Sequence, residues 1–453
     1  MNYADFALIR FGSGLSPRYQ GPATPDALMD SLADDTMRQM YPSASTVEIR
    51  EMLRNYGAAR RARKGGEAAQ REYETRRDIV VNTATRLRRV RLARAVEAPV
   101  GFGERLAQFW ASHFSMNGPS PYAILMSETF QDEVIRTHQT GRFADLLRAA
   151  TLHPAMLNYL NQSSSVGPGS EFGRRRKQTG LNENHARELL ELHTLGAGEA
   201  YNQQDIRQLA ELMTGVMVSK DNEFIYAPQR AEPGPETVLG KEYGGAAPAR
   251  LDEVEAFLDD LAVHPQTAAF ICRKLARHFC ADAPPDQLVE AMTARFRETG
   301  GDLTQVYAVM VSHNEARETF GQKVRQPFDL LVAGLRSLGV PGEVMMTRKL
   351  GKYRRTFLRP LAAMGQSING APQPEGWPED EDAWLTPQRL AARIDWSLDM
   401  PQTIVEDLPE VSRFVGVALS SESAAMVAPI VARAESQSDG IGLVLASPQF
   451  NRR

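Results

Sequence analysis

Cysteine is almost absent: Cys272 and Cys280 are the only two in 453 residues. Both fall in one helical run, Phe270 to Cys280, where eight residues at about 1.5 Å each hold them roughly 12 Å apart. That is too far for a disulfide, so a disulfide scaffold is excluded and two buried, reduced thiols are expected. Long hydrophobic runs are missing too, since no stretch approaches the roughly 18 apolar residues of a membrane-spanning helix. Neither charge sign dominates. With 52 basic against 56 acidic residues and a net charge of −4, no overall field favours nucleic acid or an anionic membrane. The opening Met1-Asn2-Tyr3-Ala4-Asp5-Phe6 has no basic, apolar or twin-arginine export signature, which points to the cytoplasm. Catalytic templates are lacking as well: there is no Gly-x-Ser-x-Gly elbow, no phosphate loop and no dinucleotide fingerprint. Nothing in the chain names a cofactor.

What is present is helix. An apolar fraction of 42% and a charged fraction of 24% are those of a soluble globular chain, long enough for one large domain or two to three ordinary ones. Helical periodicity covers Ser43 to Arg54, Glu67 to Val96, Glu104 to Phe114, Phe130 to Thr140, and most of the chain from Asp252 to about Val340. Arg86, Arg88, Arg89, Arg91 and Arg94 crowd the end of the second of these and are expected to form a solvated face. His153-Pro154 and His264-Pro265, with His313 as a variant, each end one helix and start another, so these histidines are expected to be junction residues. The Ser- and Gly-rich stretch 161–180, carrying Arg174-Arg175-Arg176-Lys177, is a candidate lid or an exposed loop. Only 219–250 has β character, with Phe224-Ile225-Tyr226 and Thr237-Val238-Leu239 placed to pair across the turn-rich Pro228 to Pro235. The expected fold is mainly α, a large multi-helix assembly with a small β-hairpin insertion around residues 219–250. It is expected to be one helical domain over 1–453, with sub-regions at 1–160, 181–340 and 341–453.

The richest chemistry lies in Asn182 to Gly196, where two histidines, three carboxylates and an arginine share one short helix. At about 100° per residue, Ala186, Leu189, Leu190 and Leu192 form its apolar face. Glu183, Arg187 and Glu191 line the opposite side at i, i+4 spacing, an ion-pair ladder or part of a binding face. Asn182 is placed to cap the helix. His193 falls within the apolar stripe, His185 at its edge and Glu188 just beyond. His113 sits on a similar stripe with Leu106, Phe109 and Trp110. His113, Glu188 and His193 are therefore the candidate catalytic residues, as metal ligands or as an acid/base pair with a carboxylate; the competing reading is hydrogen-bonded core histidines. Asn184, Arg187, Glu191 and Trp110, with Gln366 and Trp377 from an irregular aromatic loop, are candidate binding residues. No spacing matches a known metal-ligand signature, and no metal is expected.

Several of these segments together resemble one bacterial family, the domain of unknown function 1800. They are Arg10-Phe11-Gly12, Phe109 to Phe114, His153-Pro154-Ala155-Met156, Asn182 to Gly196 and Tyr201 to Gly215. Pro233-Gly234-Pro235 with Leu239-Gly240, His264-Pro265 with Cys272 to Leu275, Gly365-Gln366, Gly376-Trp377-Pro378 and Ser447 to Phe450 complete the set, in the family's order over nearly the whole chain. The resemblance implies a partner: relatives are often encoded beside a second family, domain of unknown function 1501, similar to phosphatases and sulfatases and usually exported. It thus implies a binding or assembly protein working with that phosphatase- or sulfatase-like partner, with co-export to the periplasm as the alternative to the cytoplasm. An enzyme, hydrolytic or metal-assisted, with its pocket on the 182–196 helix, is the alternative function. Ala231-Glu232 stands where the family usually has His-Asp, and Glu236 where it has lysine.

Overall fold

The computed structural model describes every residue except 117, 119, 176–179 and 372. Helix accounts for 64% of the chain and strand for only 4%, so the expected mainly α assembly is the one that forms. The pairing within the β insertion differs from expectation. Phe224–Tyr226 pairs antiparallel with Val216–Val218, and Pro235–Val238 pairs with Lys241–Gly244, giving two hairpins. Leu239 and Gly240 have φ of 51° and 76°, the left-handed pair that a two-residue turn requires. Val238 therefore folds straight back onto Lys241 instead of reaching the earlier strand.

Histidine serves as a helix cap at three junctions. Nδ1 of His153, His264 and His313 accepts the backbone N–H two residues ahead, at 3.1, 3.2 and 3.3 Å. Each imidazole fills the place usually taken by Ser or Asp, satisfying one of the orphan donors at a helix start. The junction role expected from the sequence is what these residues perform. Cys272 and Cys280 are both free and buried, also as expected.

The longest helix, Glu67–Glu97, organises the chain. Val80, Ala84 and Leu87 enter one hydrophobic core with the helices of the first and central thirds. One turn later Val90, Leu92 and Val96 enter a second core built mainly from residues 328–450. Arg86 is exposed as expected, but the four arginines after it are not a solvated face. Arg88 donates to Asn369, Arg89 to the Met345 and Met346 carbonyls, and Arg91 to the Ile368 carbonyl while pairing with Glu128. Arg94 is 3% exposed and holds the Tyr41 carbonyl and Asp132. They are consumed in tying loops from distant sequence to one rod. Arg336 shows the same use in the core, its guanidinium donating to the carbonyls of Gly14, Val96, Ala98 and Pro99. A planar fork with five donors can satisfy several carbonyls at once where a buried loop offers no ladder.

Candidate functional site

The helix at the centre of the sequence motif is α-helical only over Asn184–Glu188 and continues as a π turn over Leu189–Thr194. The Leu195 N–H bonds the Leu190 carbonyl, and the Thr194 hydroxyl bonds the Leu189 carbonyl at 2.7 Å. His185, Leu189 and His193 are buried, as are Ala186, Leu190 and Thr194, while Leu192 is only half-buried. The buried rows thus recur every four residues, the spacing of one helical face. Asn182 caps as expected, its Oδ1 accepting the Asn184 N–H at 3.0 Å. The ladder forms only its first rung, Glu183–Arg187 at 3.4 Å. Arg187 turns next to Gln203, and the widened turn carries Glu191 away to the Tyr201 phenol. Asn184 is exposed at the helix start.

Three histidines gather beneath this turn. His113 Nε2 donates to the His193 carbonyl at 3.1 Å, and the two rings lie 6.0 Å apart. Phe109, Trp110, Phe114 and Phe270 surround the His113 ring. Burial, followed by the charge of Lys274 and by His193, holds His113 well below its ordinary pKa. Burial lowers His185 to about 3, and burial with His185 and Lys274 lowers His193 to about 3. All three are neutral at physiological pH. Nδ1 of each, and Nε2 of His185, has no hydrogen-bond partner among the described residues. The Glu188 carboxyl is raised by burial and then by Glu191 and Glu375. Among the described residues no group of three or more His, Cys, Asp or Glu is arranged to hold a metal ion. Trp110 is fully buried and spends its N–H on Tyr307 at 2.7 Å, so it offers a ligand no polar atom.

Gln366 and Trp377 belong to a different place, a polar cavity of about 60 Å³ on the far side of the same helices. Helix Phe102–His113 contributes Ser112, helix Pro265–Phe279 contributes His278, and helix Pro327–Ser337 contributes Asp329. Gln366 is fixed at both ends, accepting the Phe328 N–H at 2.7 Å and donating to Gln326 at 3.1 Å. Trp377 is seated by a close backbone approach. Gly376 has φ of 98°, and a Cβ there would stand 2.3 Å from the Ser112 carbonyl. Only glycine lets the loop come near enough for the Trp377 N–H to reach Ser112 Oγ at 3.0 Å.

Behind the cavity wall lies a buried ionic cluster. Asp329 Oδ2 meets Arg105 at 3.5 Å and is clamped by Arg453. Lys323 meets Asp282 at 2.7 Å and Glu379 at 3.0 Å. His278 stands between the two halves, with Nδ1 2.7 Å from Glu379 and Nε2 3.4 Å from Arg105. Guanidinium nitrogens only donate, so Nε2 is the bare nitrogen and the Nδ1–H donates to Glu379. Burial, outweighing the pull of Glu379, lowers the His278 pKa. Burial by itself would raise Asp329, but Arg105 and Arg453 bring it down to about 2. Glu379, likewise opposed by burial, is held well below the carboxylate range by His278 and Lys323. The cavity therefore presents a carboxylate held ionised at neutral pH beside hydroxyl and amide groups. Sequence reasoning did not select His278, Asp329, Glu379, Arg105 or Lys323. The available signal was positional, because Glu379 follows Trp377-Pro378 and His278 lies between the two cysteines.

The remaining expectations fall elsewhere. Of the candidate lid, Glu171–Arg175 is a short helix, and Arg176 and Lys177 lie outside the described residues. At the departures from the family pattern, Glu232 accepts the Gly169 N–H at 2.8 Å. Glu236 is buried, and burial with Glu211, Glu232 and Glu253 raises it to about 8.

A family model described as Protein of unknown function (DUF1800) matches residues 7–452. The chain belongs to that family. No curated protein and no solved structure matches it.

Proposed function

We propose that the protein is a binding protein whose ligand, a small polar molecule, seats in the cavity between Ser112, His278, Asp329, Gln366 and Trp377. The observation that carries this reading is the convergence of three helices and an aromatic loop on one polar cavity backed by a cluster of buried, paired ions. A cavity with a few convergent polar groups and strongly shifted titrating residues is where a ligand is first sought. At about 60 Å³ it has room for a handful of heavy atoms. The test is a thermal-shift screen of metabolite-sized polyols, amino acids and carboxylic acids against the wild type and the cavity-filling Ala111→Leu. A compound that raises the melting temperature of the wild type alone supports the site. One that stabilises both chains equally places binding elsewhere and refutes the proposal.

The family resemblance extends this reading to assembly with a phosphatase- or sulfatase-like protein. Co-expression followed by affinity purification tests it, and consistent recovery of the two chains apart would end it. A second reading, an enzyme built on His113, His193 and Glu188, draws on the 6.0 Å approach of the two rings and the raised Glu188. Metal analysis of the purified protein with His193→Ala as the control decides it: equal metal content in the two proteins would leave that reading without a metal.

A further inference from the structure

The helices Thr46–Ala62 and Glu67–Glu97 pack against each other as a hairpin. The long helix first buries a side chain at Val80, so residues 67–79, about 20 Å of helix, stand clear of the main body. The last ion pair tying the shorter helix to the rest of the chain is Arg54–Asp221 at 3.8 Å. Tyr56 and Tyr73 stack across the hairpin, 5.9 Å apart and 26° from parallel, which stiffens it. Along the stem the charges are matched, Arg71 with Glu67, Arg76 with Glu72 and Arg77 with Asp78. At the tip they are not. Arg60-Arg61-Ala62-Arg63-Lys64-Gly65-Gly66 is exposed throughout and carries four cations and no acid. Among the described residues none of the four forms an ion pair, and Arg63 lies over the Tyr73 ring.

We propose that this tip docks end-on against an anionic lipid surface. The net charge of the chain, −4, does not oppose this. Fields in physiological salt decay over about 8 Å, well short of the stem's length, so an approaching surface meets the tip alone. A juxtaposed polybasic cluster is what anionic headgroups attract. A nucleic acid duplex lying along the hairpin would meet a stem already neutralised by its own pairs. A folded protein partner would look for an aromatic or aliphatic anchor, and residues 60–66 contain none larger than alanine.

The experiment is co-sedimentation of the full chain with vesicles of phosphatidylcholine alone and of phosphatidylcholine with phosphatidylserine, at low and physiological salt. Binding is expected only to the phosphatidylserine vesicles, weakening as salt rises. Each cation removed should weaken it about fivefold, so Arg60→Ser, Arg61→Ser, Arg63→Ser and Lys64→Ser together should abolish it. Lysine at the three arginine positions should retain it. All four side chains are exposed, and an unchanged melting temperature confirms that the variants fold. Failure to bind at low salt, equal binding by the serine variant, or tighter binding to a DNA duplex than to the vesicles would each overturn the proposal.

Discussion

His193 and His278 are both buried and both neutral, yet their surroundings are opposite. His193 lies in an aromatic pocket with His113 and His185, where several ring nitrogens go unbonded and no carboxylate is in contact. His278 has each nitrogen facing a charged group and sits in a cluster whose anions and cations are paired. The first arrangement shifts a pKa mainly by excluding water, with Lys274 and the neighbouring histidines adding to the effect. The second uses compensated charge, which keeps Asp329 and Glu379 ionised despite burial. Low-dielectric burial is shared, and only the pairing differs. That pairing makes the His278 side suited to polar recognition.

The largest expected effect comes from breaking the charged side. Lys323→Met leaves Asp282 and the buried Glu379 without their cation and should cost about 3–5 kcal/mol in urea unfolding. A loss below about 1 kcal/mol would mean that water already screens the cluster. Next is the loop that forms the cavity wall. Gly376→Ala forces a Cβ onto the Ser112 carbonyl in a left-handed backbone and should cost about 2–3 kcal/mol. It should also change the fluorescence of Trp377; wild-type stability would show that the loop is free to move away.

Acid should tell the buried histidines from the buried carboxylates. The unfolded chain carries histidines of ordinary pKa near 6.5, whereas His185 and His193 titrate at about 3 when folded. Between these values the unfolded state binds more protons. The stability these residues contribute above pH 6.5 is therefore lost as pH falls toward 3, by up to about 1.4 kcal/mol per pH unit for each. Asp329, at about 2 when folded, gives up its contribution only as pH falls below about 4. Urea midpoints at pH 7, 6 and 5 check the first window, and a flat profile would contradict it. The smallest effect, and the sharpest in sign, is His185→Leu. Replacing a ring with two unbonded nitrogens by an apolar side chain should gain about 1 kcal/mol and remove one histidine's share of the acid slope. Destabilisation by that change would reveal a partner for His185.

Much of this was legible in the chain. Helix periodicity, the His-Pro junctions and the isolated thiols follow from local rules, and each is found as expected. Gln366 and Trp377 were singled out as candidate binding residues by the family resemblance and the irregular loop around them, but the cavity they line was not foreseen. What escaped depends on contacts between distant segments. Arg88, Arg91 and Arg94 look like a solvated stripe until the loops that accept their hydrogen bonds are in place. Lys323, Asp329 and Glu379 are ordinary surface-type residues in sequence, and only packing removes them from water. Leu239-Gly240 held the hairpin register in a local turn that a search for longer-range strand pairing passes over.

The π turn at Leu189–Thr194 makes the motif a matter of length as well as composition. A chain one residue shorter there could close into a continuous α-helix with every side chain unchanged in kind. Because a π turn absorbs its extra residue locally, the segments on either side would keep their register, and only the widened turn that offers the His193 carbonyl to His113 would be lost while the residue list stayed nearly the same. Hydrogen exchange at the Leu195 amide would register the change. The spacing of the motif is therefore a ruler, and the extra residue is its working mark.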